Sequence, residues 1–504
     1  MASYEKHDKH DKHDRHEQHE KEEKEEKDDA PGTRSVPTAD ADADADADAP
    51  KVTAVRRYAA AARRWRGLRA TACAALLAVA LTAGAVAVDG TRQPAGATTA
   101  PHPAVPIGAG APLDVPAIEA RLKAQPRDFT GWAALGLAHV ERARTDGAPS
   151  RYPRAERALE RSLELEPGND QALSGHAALA AARHDFAGAL AYADRALKAN
   201  PYNERALCSR VDALVELGRY DDAARAAGTA DTRRPGVPVF TRYAYVRELR
   251  GDTDTARRVL EQALAGAASP GDVAYVATQL GRLAWNRGDH RAALRHYARA
   301  LAADDTYLPA LEGRARAKAA SGDRDGAVGD LEAVVARAPL PGPLVALGEL
   351  YEARGDGAAA REQYALVDAW TALARAGGVD VDLDTALAAA DHGDRNAALR
   401  AARAEWDRRR TVHTADALAW ALHVNGRDRE ALPYARRALA TGYRDAAFLY
   451  HLGMIERAVG RERDSRGHLA AALELNPGFS PLGAREARTA LAEPTGPKEA
   501  QATR

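Results

Sequence analysis

The sequence predicts an all-α fold, an α-α solenoid of about ten helix-turn-helix units occupying residues 113–493. Three observations carry this. A Gly-Asp-x-x-x-Ala motif recurs, clearly at Gly251, Gly288, Gly322, Gly355 and Gly393 and more weakly at Gly218, Gly426 and Gly460. The glycines from Gly218 onward lie 33, 37, 34, 33, 38, 33 and 34 residues apart, and a fixed period in the thirties marks a repeat array. Small and aromatic residues follow each motif at helical spacing, as Ala293, Tyr297 and Ala300 do. Several units also close on a proline, at Pro167, Pro201, Pro235, Pro339 and Pro477.

Residues 1–50 precede the array as a charged tail. They carry 8 basic and 17 acidic side chains, a charge of −9, and too little apolar surface to form a core, so disorder is expected. His7, His10, His13, His16 and His19 recur every third residue among carboxylates. Imidazole with carboxylate suits Ni²⁺ or Zn²⁺, although a period of three does not keep the histidines on one helix face. A metal-binding tail and a solvated low-complexity tail both stand as readings. His16-Glu17-Gln18-His19 is not a zinc-protease motif, because residue 20 is Glu20 where the second histidine would be needed.

Residues 51–69 hold seven basic and no acidic residues; Ala70 to Val88 is then uncharged over 19 residues. At 1.5 Å per residue such a helix just spans a hydrocarbon core of about 30 Å. The basic flank places the N-terminus in the cytoplasm and the repeats outside. Ala85-Val86-Ala87 offers a cleavage site for the competing reading of an export signal; a cytoplasmic protein is the third reading. Residues 89–112, with five prolines, read as an extended spacer, and 494–504 as a disordered end.

Within one unit, a first helix must stop at the glycine, which can adopt the left-handed conformation that caps a C-terminus. The aspartate then N-caps the second helix. The register places the first helices near residues 129, 170, 204, 237, 274, 308, 341, 379, 412 and 446. The eighth unit departs most, with Ala402 and Glu405 where an aromatic and an alanine are expected. Residues Ser480 to Glu493 read as a helix covering the last apolar face.

Trp132-x-x-Leu135-Gly136, Leu344-x-x-Leu347-Gly348-x-x-Tyr351 and Leu449-x-x-Leu452-Gly453, each with its Gly-Asp turn or variant, resemble the tetratricopeptide repeat family. The resemblance implies a right-handed superhelix that scaffolds or binds protein or peptide partners on the concave face lined by the first helices. It places Tyr275, Arg282, Trp285, Glu312, Arg316, Glu349, Trp420 and His423 on that face, with Glu352 and Asp416 beside them. The alternative for Trp285 and Trp420 is packing between neighbouring units. The paired Asn and Lys of the family's clamp for chaperone tails are missing; Asp212, Thr278 and Arg282 stand there instead.

From residue 113 onward the charge balances at 55 basic against 54 acidic residues, which argues against a nucleic-acid footprint. Arginine almost replaces lysine there, a codon signature of a high-GC bacterial genome. Two cysteines, Cys73 and Cys208, make no disulfide framework. Arg-Gly-Asp occurs three times, at Arg250, Arg287 and Arg354, always at the repeat turn, where Gly and Asp already have a structural task. No phosphate loop, nucleophile elbow or paired-histidine zinc motif is present, so no enzyme is expected. A membrane-anchored scaffold is the leading expectation. A metal-uptake accessory and a cytoplasmic peptide-sensing regulator are the alternatives.

Overall fold

The structure, a computed structural model, describes residues 115–146, 149–376 and 382–493. The charged tail, the basic segment, the 70–88 stretch, the proline-rich spacer and residues 494–504 lie outside the described residues, as do the five tail histidines. Among the described residues no helix is long and apolar enough to cross a membrane.

Twenty-two α-helices are present among the described residues. A leading helix α1 (Val115–Ala124) precedes ten pairs. The pairs are α2 and α3 (Phe129–Asp146, Tyr152–Leu165), α4 and α5 (Asp170–Ala182, Phe186–Ala199), and α6 and α7 (Glu204–Glu216, Tyr220–Arg233). Then come α8 and α9 (Val237–Leu249, Thr253–Ala265), α10 and α11 (Pro270–Asn286, His290–Ala303), and α12 and α13 (Leu308–Ala320, Arg324–Arg337). The array finishes with α14 and α15 (Pro341–Ala353, Gly357–Ala376), α16 and α17 (Asp382–His392, Arg395–Arg408), α18 and α19 (Val412–Val424, Asp428–Leu439), α20 and α21 (Ala446–Ala458, Glu462–Leu475), and a closing helix α22 (Gly483–Ala492).

Most first helices begin at the residue the period indicates. Helix α10 begins earlier, at Pro270, because Ser269 caps it: the Ser269 side chain accepts from the Asp272 N–H at 3.0 Å, and proline suits the first turn. For the eighth unit the expected start near 379 lies outside the described residues; α16 is described from Asp382.

The turns follow the expected chemistry. In the fifth unit the Gly288 N–H donates to Trp285 O at 2.9 Å and the Asp289 N–H to Ala284 O at 3.0 Å, closing the first helix with the paired bonds of a Schellman motif. Asp289 then accepts from the Ala292 N–H at 2.8 Å. Two turns differ. His184 takes the left-handed conformation, φ 61°, that glycine takes elsewhere. Gly393 does not: its turn is one residue shorter than the others, and Asp394 caps directly by accepting from the Asn396 N–H.

Packing within a unit explains the Leu-Gly pair. A Cβ on Gly281 would meet the Tyr297 ring at 2.6 Å, so the second helix's aromatic seats directly on first-helix backbone. Consecutive first helices touch one another along the array, which puts them on its inner side.

The coil does not stay open. Arg409 Nη1 lies 2.7 Å from Glu216 Oε2, 193 residues away. The Val412 N–H donates to Tyr220 Oη at 2.8 Å, 192 residues away, and Asn476 Nδ2 donates to Trp285 O at 2.8 Å, 191 residues away. The connections that follow the eighth, ninth and tenth units therefore sit on the turns of the third, fourth and fifth. A Cβ on Gly251 would lie 2.6 Å from the Gly442 carbonyl oxygen, and Gly218 and Gly288 are approached in the same way by Arg410 and Leu475. One apolar cluster spans this seam, joining Val211, Leu214 and Tyr245 to Val412, Tyr443 and Phe448.

Candidate interaction surface

The inner face is not uniform along the array. On the third to sixth units this face is occupied by the protein's own ion pairs. Asp212 and Arg242, both buried, meet through two Nε contacts of 2.9 Å. Glu248 takes both terminal nitrogens of Arg282, at 2.7 and 3.2 Å, and accepts from Asn286 at 2.9 Å. Glu312 accepts from Arg316 at 2.7 Å. Arg409, from the end of the eighth unit, is held between Glu216 and Glu405. A buried guanidinium and carboxylate keep both charges only with such close pairing.

The residues placed on this face by the repeat register have different surroundings. Tyr275 is buried against Thr241, and burial pushes its hydroxyl pKa upward. Arg282 packs over the Tyr245 ring, 5.6 Å from its centre. Trp285 is half-buried, with its backbone carbonyl engaged by Asn476. Glu312 is buried beside its partner Arg316, which is 38% exposed. Trp420 is buried between two imidazoles, with His451 at 4.1 Å and His423 at 4.8 Å; His423 is paired with Asp428. The structure thus brings Glu312 together with Arg316 and Trp420 together with His423.

Around Glu349 lies a group that sequence reasoning assembled only in part. Glu349 and Glu352 project from α14, Asp391 from the end of α16 and Glu486 from α22. Each is held by a neutral donor. Tyr364 Oη donates to Glu352 at 3.0 Å, Trp420 Nε1 to Asp391 at 2.6 Å, Tyr450 Oη to Glu486 at 2.5 Å and Ser480 Oγ to Glu349 at 3.5 Å. Asp391 and Glu486 are exposed and the Glu352 side chain is 44% exposed. His392 stacks on Tyr364 at 4.0 Å, nearly parallel. Burial lowers the His392 pKa, but Glu349 and then Asp391 and Glu352 outweigh it, leaving the imidazole above its ordinary value. Tyr364 and Tyr450 are raised by burial and then by their bonded carboxylates. Glu349 and Asp391 act on both hydroxyls, so the four acids form one electrostatic neighbourhood. Asp391 and Glu486 escaped the register because one sits in the most divergent unit and the other in the closing helix.

Among the described residues no group of three or more His, Cys, Asp or Glu is arranged to hold a metal ion. Cys208 is buried, and burial pushes its thiol up to about 11, the opposite of an activated nucleophile.

The Arg-Gly-Asp copies have a structural explanation. Asp252, Asp289 and Asp356 cap the second helices. Arg250 pairs with Asp221, Arg287 with Asp254 at 3.2 Å and Arg354 with Asp325 at 2.9 Å. Each arginine thereby ties its turn to the second helix of the unit before.

No family model matches the chain, and no curated protein matches it. Solved structures do align in part. The human IFIT1 dimer with m7Gppp-AAAA is 17% identical, with a TM-score of 0.43 over 65% of this chain and 76% of that one. PilF of Pseudomonas aeruginosa is 20% identical, with a TM-score of 0.34 over 42% and 92%. A tetratricopeptide repeat protein of Parabacteroides merdae is 18% identical, with a TM-score of 0.30 over 51% and 97%. Superpositions at these scores carry nothing about ligands; the repeat assignment rests on the turns, caps and helix pairing above.

Proposed function

We propose that this chain, whose units are tetratricopeptide repeats, is a scaffold that binds a protein or peptide partner on the part of its inner face left open by the coil, and performs no chemistry of its own. The observation that carries the reading is the contrast along that face. The third to sixth units fill it with self-paired charges, whereas the seventh and eighth units and the closing helix leave the Glu352, Asp391 and Glu486 carboxylates exposed. Polar groups fixed by aromatic neighbours are suited to recognition because little side-chain freedom is lost on binding.

In this reading residues 70–88 anchor the chain, with the tail in the cytoplasm and the solenoid on the far side, held off the bilayer by residues 89–112. The basic run before residue 70 supports that orientation. A nickel- or zinc-binding role for His7, His10, His13, His16 and His19 is a separate property of the tail and is not needed for scaffolding.

The test is photocrosslinking in cells stripped of their wall, with a C-terminal tag and external protease as the topology readout. Partners that crosslink through a photoreactive residue at position 349 or 352, both on α14, with the tag digested from outside, support the reading. A tag that survives protease overturns the orientation. Crosslinks confined to the outer second helices overturn the choice of surface.

A further inference from the structure

We propose that this protein assembles head to tail with copies of itself. The exposed connections of the first units in one molecule, Tyr202 foremost, seat on the open turns of the later units in the next. The contact repeats between molecules the seam that the coil makes within one, and it does not depend on which partner the inner face binds.

The seam sets the rule. The connections at Arg410, Gly442 and Asn476 lie on the turns at Gly218, Gly251 and Gly288. Later units therefore lie on the turn side of earlier ones. A coil built in this way ends in two different edges. The turns of its last units carry no connection, and the connections of its first units rest on no turn.

Both edges are uncovered. Gly355, Gly426 and Gly460 hold the same left-handed conformation as the seam glycines, with φ of 85°, 70° and 80°, yet nothing lies within 4 Å of where a Cβ would be. At the other edge Glu166, Pro167 and Gly168 are exposed, as are Pro201 and Tyr202. Tyr202 is 63% exposed, the most of any large apolar side chain among the described residues, whereas Tyr443 in the seam connection after the ninth unit is 4% exposed. Aromatic side chains of this kind commonly anchor protein interfaces.

The connection after the second unit is also built as a seam connection is. Asn476 closes α21 with φ −151° and ψ 98°, precedes a proline, and accepts from the Gly478 N–H at 3.0 Å. Asn200 closes α5 with φ −138° and ψ 99°, precedes Pro201, and accepts from the Tyr202 N–H at 3.0 Å. Asn476 is buried because its Nδ2 donates to Trp285 O, the carbonyl that also closes the Gly288 turn. The matching carbonyls of the open turns are those of Glu352, His423 and Arg457, which accept from the Gly355, Gly426 and Gly460 N–H groups. Each has a second lone pair for a bond of the same kind.

A second copy is the occupant that fits, because one chain supplies both edges and they already match in the seam. The outward faces of α1 and α22 carry Arg121, Lys123, Arg485 and Arg488, all exposed, so the contact runs along turns and connections and not through these helices. It is heterologous: each added molecule leaves one edge of each kind free, and rows form in place of closed dimers.

The test is sedimentation velocity of the full chain in detergent, as wild type and as Tyr202→Glu. We expect wild type to form species beyond the dimer that grow with concentration, and the variant to raise the dissociation constant at least ~10-fold with an unchanged thermal melt. The variant keeps its turn edge, so an excess of it should shorten rows of fluorescent wild type to heterodimers. Absence of those heterodimers overturns the head-to-tail arrangement. Wild type that stays monomeric overturns the proposal. So does association that Tyr202→Glu leaves unchanged, since residues 1–114, common to both chains, would then account for it. A benzophenone side chain at position 202 gives a second readout. Crosslinks between isotopically light and heavy copies at the turns around residues 355, 426 or 460 support the contact, and crosslinks between copies confined to other regions overturn it.

Discussion

Arg409 and Glu216 lie 193 residues apart in the chain, yet the Arg409 Nη1 meets Glu216 Oε2 at 2.7 Å with both side chains almost fully buried. Glu405, one helical turn before Arg409, takes its Nε. The eighth unit departs from the repeat pattern at Glu405, and this contact gives the departure a reason: that acid orients the arginine that closes the coil. Replacing Arg409 by Met strands the buried Glu216, leaves Glu405 with Arg408 alone at 2.7 Å, and should cost about 3–5 kcal/mol. Adding Glu216→Gln and Glu405→Gln to the same chain should recover most of that loss. Urea melts followed by circular dichroism check both; an Arg409→Met chain as stable as wild type would show that the seam is not closed in solution.

Two left-handed glycines should respond differently to the same substitution. Gly355 has φ 85° with open space around its missing Cβ, whereas Gly251 has φ 78° and faces the Gly442 carbonyl. Gly355→Ala should cost about 1 kcal/mol from backbone conformation alone. Gly251→Ala should cost at least twice that, since backbone on the other side of the seam must move. Matched thermal melts decide it, and equal costs would place the second coil away from the first.

Acid should weaken the seam through His413. This imidazole packs near Tyr443 and Phe448, and burial, then Arg409 and Arg282, lower its pKa to about 4. The unfolded chain binds the proton near 6.5, so it holds more protons than the folded chain between about pH 6.5 and 4. Stability is therefore lost as pH falls through that window, by up to about 2–3 kcal/mol. Burial raises Asp212 to about 7 and Asp445 to about 6, and these act with the opposite sign. The useful quantity is therefore the difference between wild type and His413→Gln in urea midpoints from pH 4.5 to 7.5. That difference should favour the variant increasingly toward acid, and parallel curves would refute the burial of His413.

The Arg-Gly-Asp turns offer a test within one tripeptide. Asp289→Ala removes a helix cap and should cost about 1 kcal/mol. Arg287→Ala breaks only exposed contacts and should change stability by less than about 0.5 kcal/mol. Denaturant midpoints of the two variants check the ranking, and a reversed order would contradict the capping role.

How much of this was legible in the sequence follows from the range of the forces involved. The Gly-Asp turns are local: one left-handed residue and one cap are written within four positions, so helix starts such as Glu204, Val237 and Ala446 could be read directly. Helix α10 began early because Ser269-Pro270 formed a stronger start than the period indicated. His184 hid a turn by filling a glycine position. The seam was not legible, because nothing local to Gly218 says that Arg410 will rest on it; that depends on the accumulated rotation of five intervening units. The inner face was harder to read for a different reason. The register placed Tyr275 and Trp420 on the concave side, but neighbouring units cover them, Tyr275 beside Thr241 and Trp420 between His423 and His451, while Glu352 remains exposed.

Repeat arrays ordinarily tolerate gain or loss of a unit, because each contacts only its neighbours. The seam removes that freedom here. The Gly218, Gly251 and Gly288 turns each receive a connection from one particular later unit, so deleting or duplicating a unit between the fifth and the eighth would shift every one of these contacts out of phase. The length of the array between those points is therefore set in the manner of a ring whose ends must meet. Lineages that vary this protein by unit number should do so at its N-terminal end, where the first two units lie outside the seam.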